Sequence, residues 1–266
     1  MRTGALLGVA AVAAGLMMTP APGRPQAQAA EPARPEAAPS VKIPAVLPPD
    51  VAFGRFIALI RGHLLTGDEL VRQRDWRDAH RHFMFPLEEI YGVIREDLPV
   101  YKTPPFDGAL RALARTVATH NVKQYPKALE KVEDALAAAE AGLKLRQPDW
   151  PPFVVEIAVA VLKTASDEYD DAVANDRVVH PVGYRTARGF ILQADRMIES
   201  VAGDLEVKNP DALRDIRKGF TRLKRAFAAV NAPKRAPIDQ GAMLSIIARI
   251  GLAAAKLQQP NRPNNP

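Results

Sequence analysis

Cysteine is absent from this 266-residue chain. That absence excludes disulfide bonds, thiolate metal sites, iron–sulfur clusters, covalently attached haem and cysteine nucleophiles. Beyond the N-terminus we find no run apolar enough to span a bilayer, which takes about 20 residues, so we expect no transmembrane segment in the mature chain. Stability must therefore come from a packed core rather than from cross-links.

Familiar catalytic patterns are missing as well. The sequence contains no G-x-S-x-G, P-loop or dinucleotide-binding glycine pattern, and no H-E-x-x-H or E-x-x-H pair. We therefore expect that the protein is not an enzyme. The net charge is +6, but acids and bases alternate along the chain, which is typical of solvated helical faces. Together with the exported location that the N-terminal sequence indicates, this charge pattern argues against nucleic acid as a partner.

The N-terminus has the organisation of a cleaved signal peptide. Arg2 precedes an apolar run over residues 5–18, and Ala27-Gln28-Ala29 forms an A-x-A cleavage site. We predict a signal peptide at 1–29, which sends the mature protein to the periplasm. Residues 30–49 are rich in proline and alanine and are predicted to form a disordered linker.

From residue 50 onward the apolar side chains recur at three- and four-residue spacings, which predicts amphipathic helices. Helix breakers and capping residues divide this region. The predicted helices cover about 51–74, 75–97, 106–120, 126–145, 151–174, 181–203, 210–230 and 238–257.

The eight helices fall into two sets of four, so we predict an all-α protein of two tandem antiparallel four-helix units. The units cover 50–147 and 148–258, followed by a disordered tail at 259–266. An internal duplication is indicated by the similarity of residues 65–70 to residues 164–169 at an offset of 99. Chance similarity between alanine-rich helices is the alternative explanation.

Histidines and carboxylates are concentrated in the first predicted hairpin. His82 and Glu89 share one face of the second helix, and both can approach His63 across the hairpin, whereas Glu69 lies nearer the turn. Imidazole and carboxylate ligands suit iron, zinc or copper(II). Pro86 interrupts the backbone hydrogen bonds of this helix, and such kinks re-aim side chains. The alternative is a pair of buried structural histidines.

The two segments that carry these residues are GHLLTGDEL, at 62–70, and AHRHFMFPLEEIY, at 79–91. They resemble a recurring pattern of uncharacterised exported helical proteins of Gram-negative bacteria. The architecture is also similar to that of imelysin-like periplasmic iron-uptake proteins. The resemblance implies a metal-related role with iron or copper, and it places the pattern's histidines on His63 and His82 and its acids on Glu69 and Glu89. This chain departs from the pattern at Phe85, where a further histidine is expected.

The leading hypothesis is a periplasmic helical bundle that binds or delivers a transition metal, iron or copper. His63, His82 and Glu89 are the candidate ligands, with Glu69 and Glu88 as further ligands or as groups that orient them. The alternative is a structural or protein-interaction module that binds an envelope partner without metal. A third hypothesis is a non-covalent small-molecule or haem binder.

Overall fold

The computed structural model describes residues 47–258, and these are almost entirely helical. This confirms the all-α prediction. The α-helices are α1 (Pro49–Arg72), α2 (Trp76–Phe85), α3 (Tyr91–Ile94), α4 (Asp107–Ala118), α5 (Tyr125–Lys144), α6 (Trp150–Ala172), α7 (Pro181–Ser200), α8 (Ala202–Lys208), α9 (Pro210–Ala226) and α10 (Gln240–Gln258).

Each predicted helix has a counterpart, and the differences occur where backbone geometry changes locally. The second predicted helix is α2 and α3 joined by a π-helical turn, Pro86–Ile90, and a 3₁₀ turn follows at Leu98–Tyr101. The short helix α8 was not predicted, because it directly follows α7 without a proline between them.

A small hairpin between α6 and α7 also escaped prediction. Strands β1 (Val173–Ala174) and β2 (Arg177–Val178) pair in antiparallel fashion through a two-residue turn. Asn175 and Asp176 form that turn with φ of 50° and 57°. Both values are positive, as a type I′ turn requires, and Asn and Asp tolerate that conformation better than most residues. Strands of two residues are too short to show an alternating apolar pattern.

The helices pack as two four-membered rings, and α1 of the first ring also contacts the second. In the first half α1 packs on α2, α2 on α4, α4 on α5 and α5 on α1; in the second half α6, α7, α9 and α10 pack in the same cyclic way. Helix α1 also packs along α6 and α7, and one continuous hydrophobic cluster extends from Val51 to Leu257. The domain boundary at 147/148 stays a prediction.

The similar stretches 65–70 and 164–169 occupy corresponding places, each in the last third of its helix, α1 or α6. The duplication itself stays a prediction. The predicted signal peptide at 1–29, most of the linker at 30–49 and the tail at 259–266 lie outside the described residues.

Among the described residues, one helix is long and apolar enough to cross a membrane by length and composition alone. It is α10, with a mean hydropathy of 1.2 over 18 residues, 39% of which are buried. From the sequence, no such segment was expected. A core helix passes the same test, and α10 packs its apolar face against α6 and α9.

Candidate functional site

Helices α1 and α7 approach closely because each carries a glycine at the crossing. A Cβ at Gly62 would lie 2.6 Å from the Phe190 ring, and one at Gly189 would overlap both the Gly62 carbonyl oxygen and Thr66 Oγ1. The Thr66 hydroxyl lies 3.2 Å from the carbonyl oxygens of Gly62 and Arg185, so it links the two helices at this point. The crossing fixes the position of the next residue on α1, His63.

His63 lies against His82 of α2 in the protein interior. Their side chains are 2% and 0% exposed, and the two Nδ1 atoms are 3.4 Å apart. The rings are tilted by 39°, with centroids 5.6 Å apart. The structure therefore brings together the two histidines that the sequence analysis selected.

Aromatic rings enclose the histidine pair. Phe85 contacts both imidazoles, with its centroid 5.3 Å from that of His63 and 5.9 Å from that of His82. Phe190 of α7 meets the His63 ring edge-on at 5.1 Å. Position 85, where the resembling pattern carries histidine, thus lies directly at the pair. Phenylalanine there supplies apolar contact and no ligand atom.

Burial keeps both imidazoles neutral. It lowers the pKa of His63 to about 3, because the charged ring would lose its hydration. The pKa of His82 is also well below its ordinary value, mainly through burial; the neighbouring His63 imidazole and the positive charges of Arg185 and Arg81 lower it further. Neutral imidazole is the form that binds metal ions.

One ring nitrogen of the pair has no partner. Within residues 47–258, no hydrogen-bonding group lies within reach of the buried His82 Nε2 atom. A buried polar atom without a partner is uncommon in native proteins and costs stability. The atom is therefore a specific feature of this site that needs a functional or structural explanation.

The two acids that follow Pro86 do not join the pair. Pro86 begins the π-helical turn, which ends with the Tyr91 amide donating to the Pro86 carbonyl oxygen. Glu88 is exposed and Glu89 is half-buried. The wider turn rotates the residues after Pro86 away from the register of a regular α-helix, on which the prediction that Glu89 shares a face with His82 depended.

Glu69 belongs to a different interaction. Its carboxylate accepts hydrogen bonds from two nitrogens of the Arg188 guanidinium, at 2.6 and 3.3 Å. Arg188 also donates to the Phe227 carbonyl oxygen at 3.0 Å. This two-pronged ion pair joins α1 to α7 and occupies both oxygens of the predicted ligand.

Buried arginines surround the histidines, and they were not predicted from the sequence. Arg185 pairs with Asp78 of α2 and donates from Nε to the Val230 carbonyl oxygen at 3.3 Å. Arg185 and Arg188 are 8% and 6% exposed. Alternating charges usually mark a solvated face, and here that rule failed. Their three-residue spacing on one face of α7 was the available indication that they act together.

In the part of the chain that the structure describes, no group of three or more histidine, aspartate or glutamate side chains is arranged to hold a metal ion. The histidine pair supplies two donors. At a metal–nitrogen distance of about 2.0–2.1 Å, nitrogens 3.4 Å apart subtend about 110° at the metal, which is near tetrahedral. Without metal, the same separation is a long N–H···N hydrogen bond.

Comparison with known proteins points to the second helical ring. A family model described as an iron permease-associated 4-helix bundle domain matches residues 145–260. The match covers less than half of the chain, includes α6, α7, α9 and α10, and leaves His63 and His82 outside. No match was found among curated proteins or among solved structures. The expected resemblance to exported and imelysin-like proteins stays a prediction.

Proposed function

We propose that the protein is an accessory helical module of iron uptake in the bacterial envelope, and that it binds or hands over a transition metal at the His63–His82 pair. The observation that carries the proposal is the buried 3.4 Å approach of the two Nδ1 atoms. Support for the process comes from the similarity of residues 145–260 to an iron permease-associated domain.

The donor set favours exchange of metal over storage. Imidazole suits iron, copper and zinc, and a stable tetrahedral site needs four ligands. The pair provides two, so a bound ion takes its remaining ligands from water or from the protein that delivers or receives it. A metal held by two nitrogens is released more easily than one in a closed site.

Phe85 and the π-helical turn control access to the pair. The phenylalanine ring covers both imidazoles, and Pro86 directly follows it. Proline removes one backbone hydrogen bond, and π-helical turns are frequent at functional sites. Entry of a metal therefore requires displacement of Phe85, and the weakened backbone beside it is the part of α2 that yields most readily.

The cellular setting belongs to the same proposal. The predicted signal peptide places the protein in the periplasm, where an iron permease or another envelope protein is the expected partner. We propose a binding role without catalysis. The competing function, an interaction module that binds no metal, is favoured by the pairing of Glu69 with Arg188, which gives that carboxylate a structural task.

Metal titration of chelator-treated protein tests the proposal. Iron(II), copper(I), copper(II) and zinc are added in turn, and bound metal is counted for the natural protein and for His63→Ala and His82→Ala. We expect one ion per chain and loss of at least about tenfold in affinity in either variant. His80→Ala is the control, because His80 lies on α2 but is not part of the pair. Equal affinity in all four proteins, or no binding at all, favours the interaction module.

A further inference from the structure

The outer surface of α9 and α10 combines positive charge with exposed leucine. A groove of about 380 Å³ between these helices is lined by Lys218 and Arg222 of α9 and by Arg249, Leu252 and Lys256 of α10. We refer to these five residues as the basic groove. Asp215 is the one acid that lines it.

Much of the positive charge at this surface has no counter-ion within the fold. Elsewhere on α9, Arg214, Arg217 and Lys224 pair with Asp211, Glu199 and Asp195. In the basic groove, Lys218 pairs with Asp215 at 3.4 Å. Within residues 47–258, Arg222, Arg225, Arg249 and Lys256 have no carboxylate at ion-pair distance. Uncompensated basic side chains gathered on one surface attract an anionic partner.

Helix α10 adds an apolar element to the same surface. Its sequence, QGAMLSIIARIGLAAAKLQ, contains no acid, and its two charges are Arg249 and Lys256. Leu252 is 69% exposed and Leu244 is 51% exposed. Ala248 and Ala255 are exposed between and beyond them. The exposed face of α10 is therefore a narrow apolar strip, with positive charge along the side that faces α9.

We infer that α9 and α10 dock the protein on the surface of a bilayer containing anionic phospholipids. Arginine and lysine of the basic groove contact phosphate headgroups, and Leu252 enters the boundary between headgroups and acyl chains. Apolar side chains flanked by basic residues are the composition of interfacial helices. A purely electrostatic partner, such as a soluble acidic protein, does not require the exposed leucines. The histidine pair takes no part in this inference.

Vesicle flotation tests the docking surface with purified full-length protein. Vesicles of phosphatidylcholine alone are compared with vesicles of phosphatidylcholine and phosphatidylglycerol, at low and high salt. We expect binding that requires phosphatidylglycerol and weakens with salt, since the Debye length falls from about 8 Å at physiological salt to about 3 Å at 1 M. Equal binding to both vesicles, or binding to neither, overturns the inference.

Two matched double variants distinguish an effect of this surface on vesicle binding from an effect of the protein's net charge. Arg249→Gln with Lys256→Gln removes two charges and should lower vesicle affinity about thirtyfold. Lys127→Gln with Lys131→Gln removes the same charge from the exposed face of α5 and should leave affinity within about twofold, because those residues lie outside the docking surface. An equal loss in both double variants would show a general charge effect and reject the assignment.

The contribution of Leu252 to vesicle binding is tested with a second exposed leucine as the control. Leu252→Ser should weaken binding by up to about tenfold, whereas Leu145→Ser, which changes a leucine that is 77% exposed beyond the end of α5, should not. All of these side chains are on the surface, so the variants should fold, and far-UV circular dichroism checks this. If Leu252→Ser and Leu145→Ser bind vesicles equally well, Leu252 does not enter the bilayer, and the assignment of α10 as an interfacial helix is overturned.

Discussion

Nδ1 of His63 lies 3.4 Å from Nδ1 of His82, although the two residues are 19 positions apart and belong to different helices. The turn between α1 and α2 brings them together, and the close crossing of α1 with α7 holds His63 in place. Two neutral imidazoles facing each other in an apolar environment share either one proton or one metal ion. Changes of pH and of single side chains separate proton sharing from metal binding and test the contacts around the pair.

Acid should destabilise the metal-free protein through the histidines. In the folded state burial holds the pKa of His63 at about 3, whereas in the unfolded chain it is near 6.5. The unfolded state therefore binds more protons between these values, and stability that is fully present above about pH 6.5 is lost as pH falls toward 3. The loss approaches about 1.4 kcal/mol per pH unit for each histidine.

Urea unfolding between about pH 7.5 and pH 5.5, above the range where most carboxylates titrate, measures this slope. His63→Leu with His82→Leu should flatten it, because neither histidine remains to take up a proton on unfolding. His80→Gln should retain it, since His80 is half-buried and lies outside the pair. An unchanged slope in the double variant would mean that other groups govern the acid response.

Glu69→Gln should destabilise the fold by about 2 kcal/mol. The change leaves Arg188, whose side chain is 8% exposed, without its carboxylate, and loss of one partner from a buried pair costs about 3–5 kcal/mol. The lower figure applies because the Glu69 side chain is 35% exposed and partly screened by water.

The matched control for that pair is Glu199→Gln. Glu199 pairs with Arg217 at 2.6 Å, but both side chains are 44% exposed, so its loss should cost at most about 1 kcal/mol. Chemical denaturation of both variants gives the comparison. If the two variants lose the same free energy of unfolding, the Glu69–Arg188 pair stabilises the fold no more than a surface pair does. Glu69 would then be available as a metal ligand.

Gly189→Ala should force α1 and α7 apart. Its new Cβ would overlap Thr66 Oγ1 and the Gly62 carbonyl oxygen, and the latter belongs to a backbone that has little room to yield. Overpacking of this kind costs about 1–3 kcal/mol. Gly203→Ala in α8 meets no atom within 4 Å and should instead stabilise the protein by up to about 1 kcal/mol. Thermal unfolding of the two variants checks the opposite signs.

Phe85→His should strengthen metal binding. The Phe85 ring contacts both imidazoles, so a histidine there brings a third nitrogen to the pair. We expect a rise in affinity of at least about tenfold. Met84→His adds the same side chain one position earlier, where it is not directed at both rings, and should change affinity little. A similar gain in the two variants would place the metal elsewhere.

Sequence periodicity was sufficient to predict the helices and the approach of His63 to His82, because apolar spacing and capping residues are local properties. It was insufficient to predict where the side chains of Glu69 and Glu89 lie. The position of Glu89 depends on whether Pro86 kinks an α-helix or opens a π-helical turn, and that choice is made by tertiary packing. Glu69 was assigned to metal because its partner, Arg188, lies 119 positions away and no local pattern links them.

Buried arginine was the largest omission. Arg55 is fully buried, donates to Thr164 Oγ1 at 3.1 Å and lies 4.4 Å from the centroid of the Phe56 ring. Burial lowers its pKa, and the charge of Asp167 opposes that effect. Charged residues in helical sequences are expected on the surface, so only the packed structure shows that arginines 55, 185 and 188 lie between the helices.

Metal content of the natural protein tests the central claim most directly. The untagged protein is purified from periplasm without chelators, together with His82→Ala, and both are analysed by mass spectrometry for iron, copper and zinc. Because a two-nitrogen site exchanges its metal easily, both proteins are also analysed after incubation with the three metals. We predict a near-stoichiometric transition metal in the incubated natural protein and its loss in His82→Ala. The same metal content in both proteins, or none in either after incubation with all three metals, would contradict a metal-binding role for the His63–His82 pair.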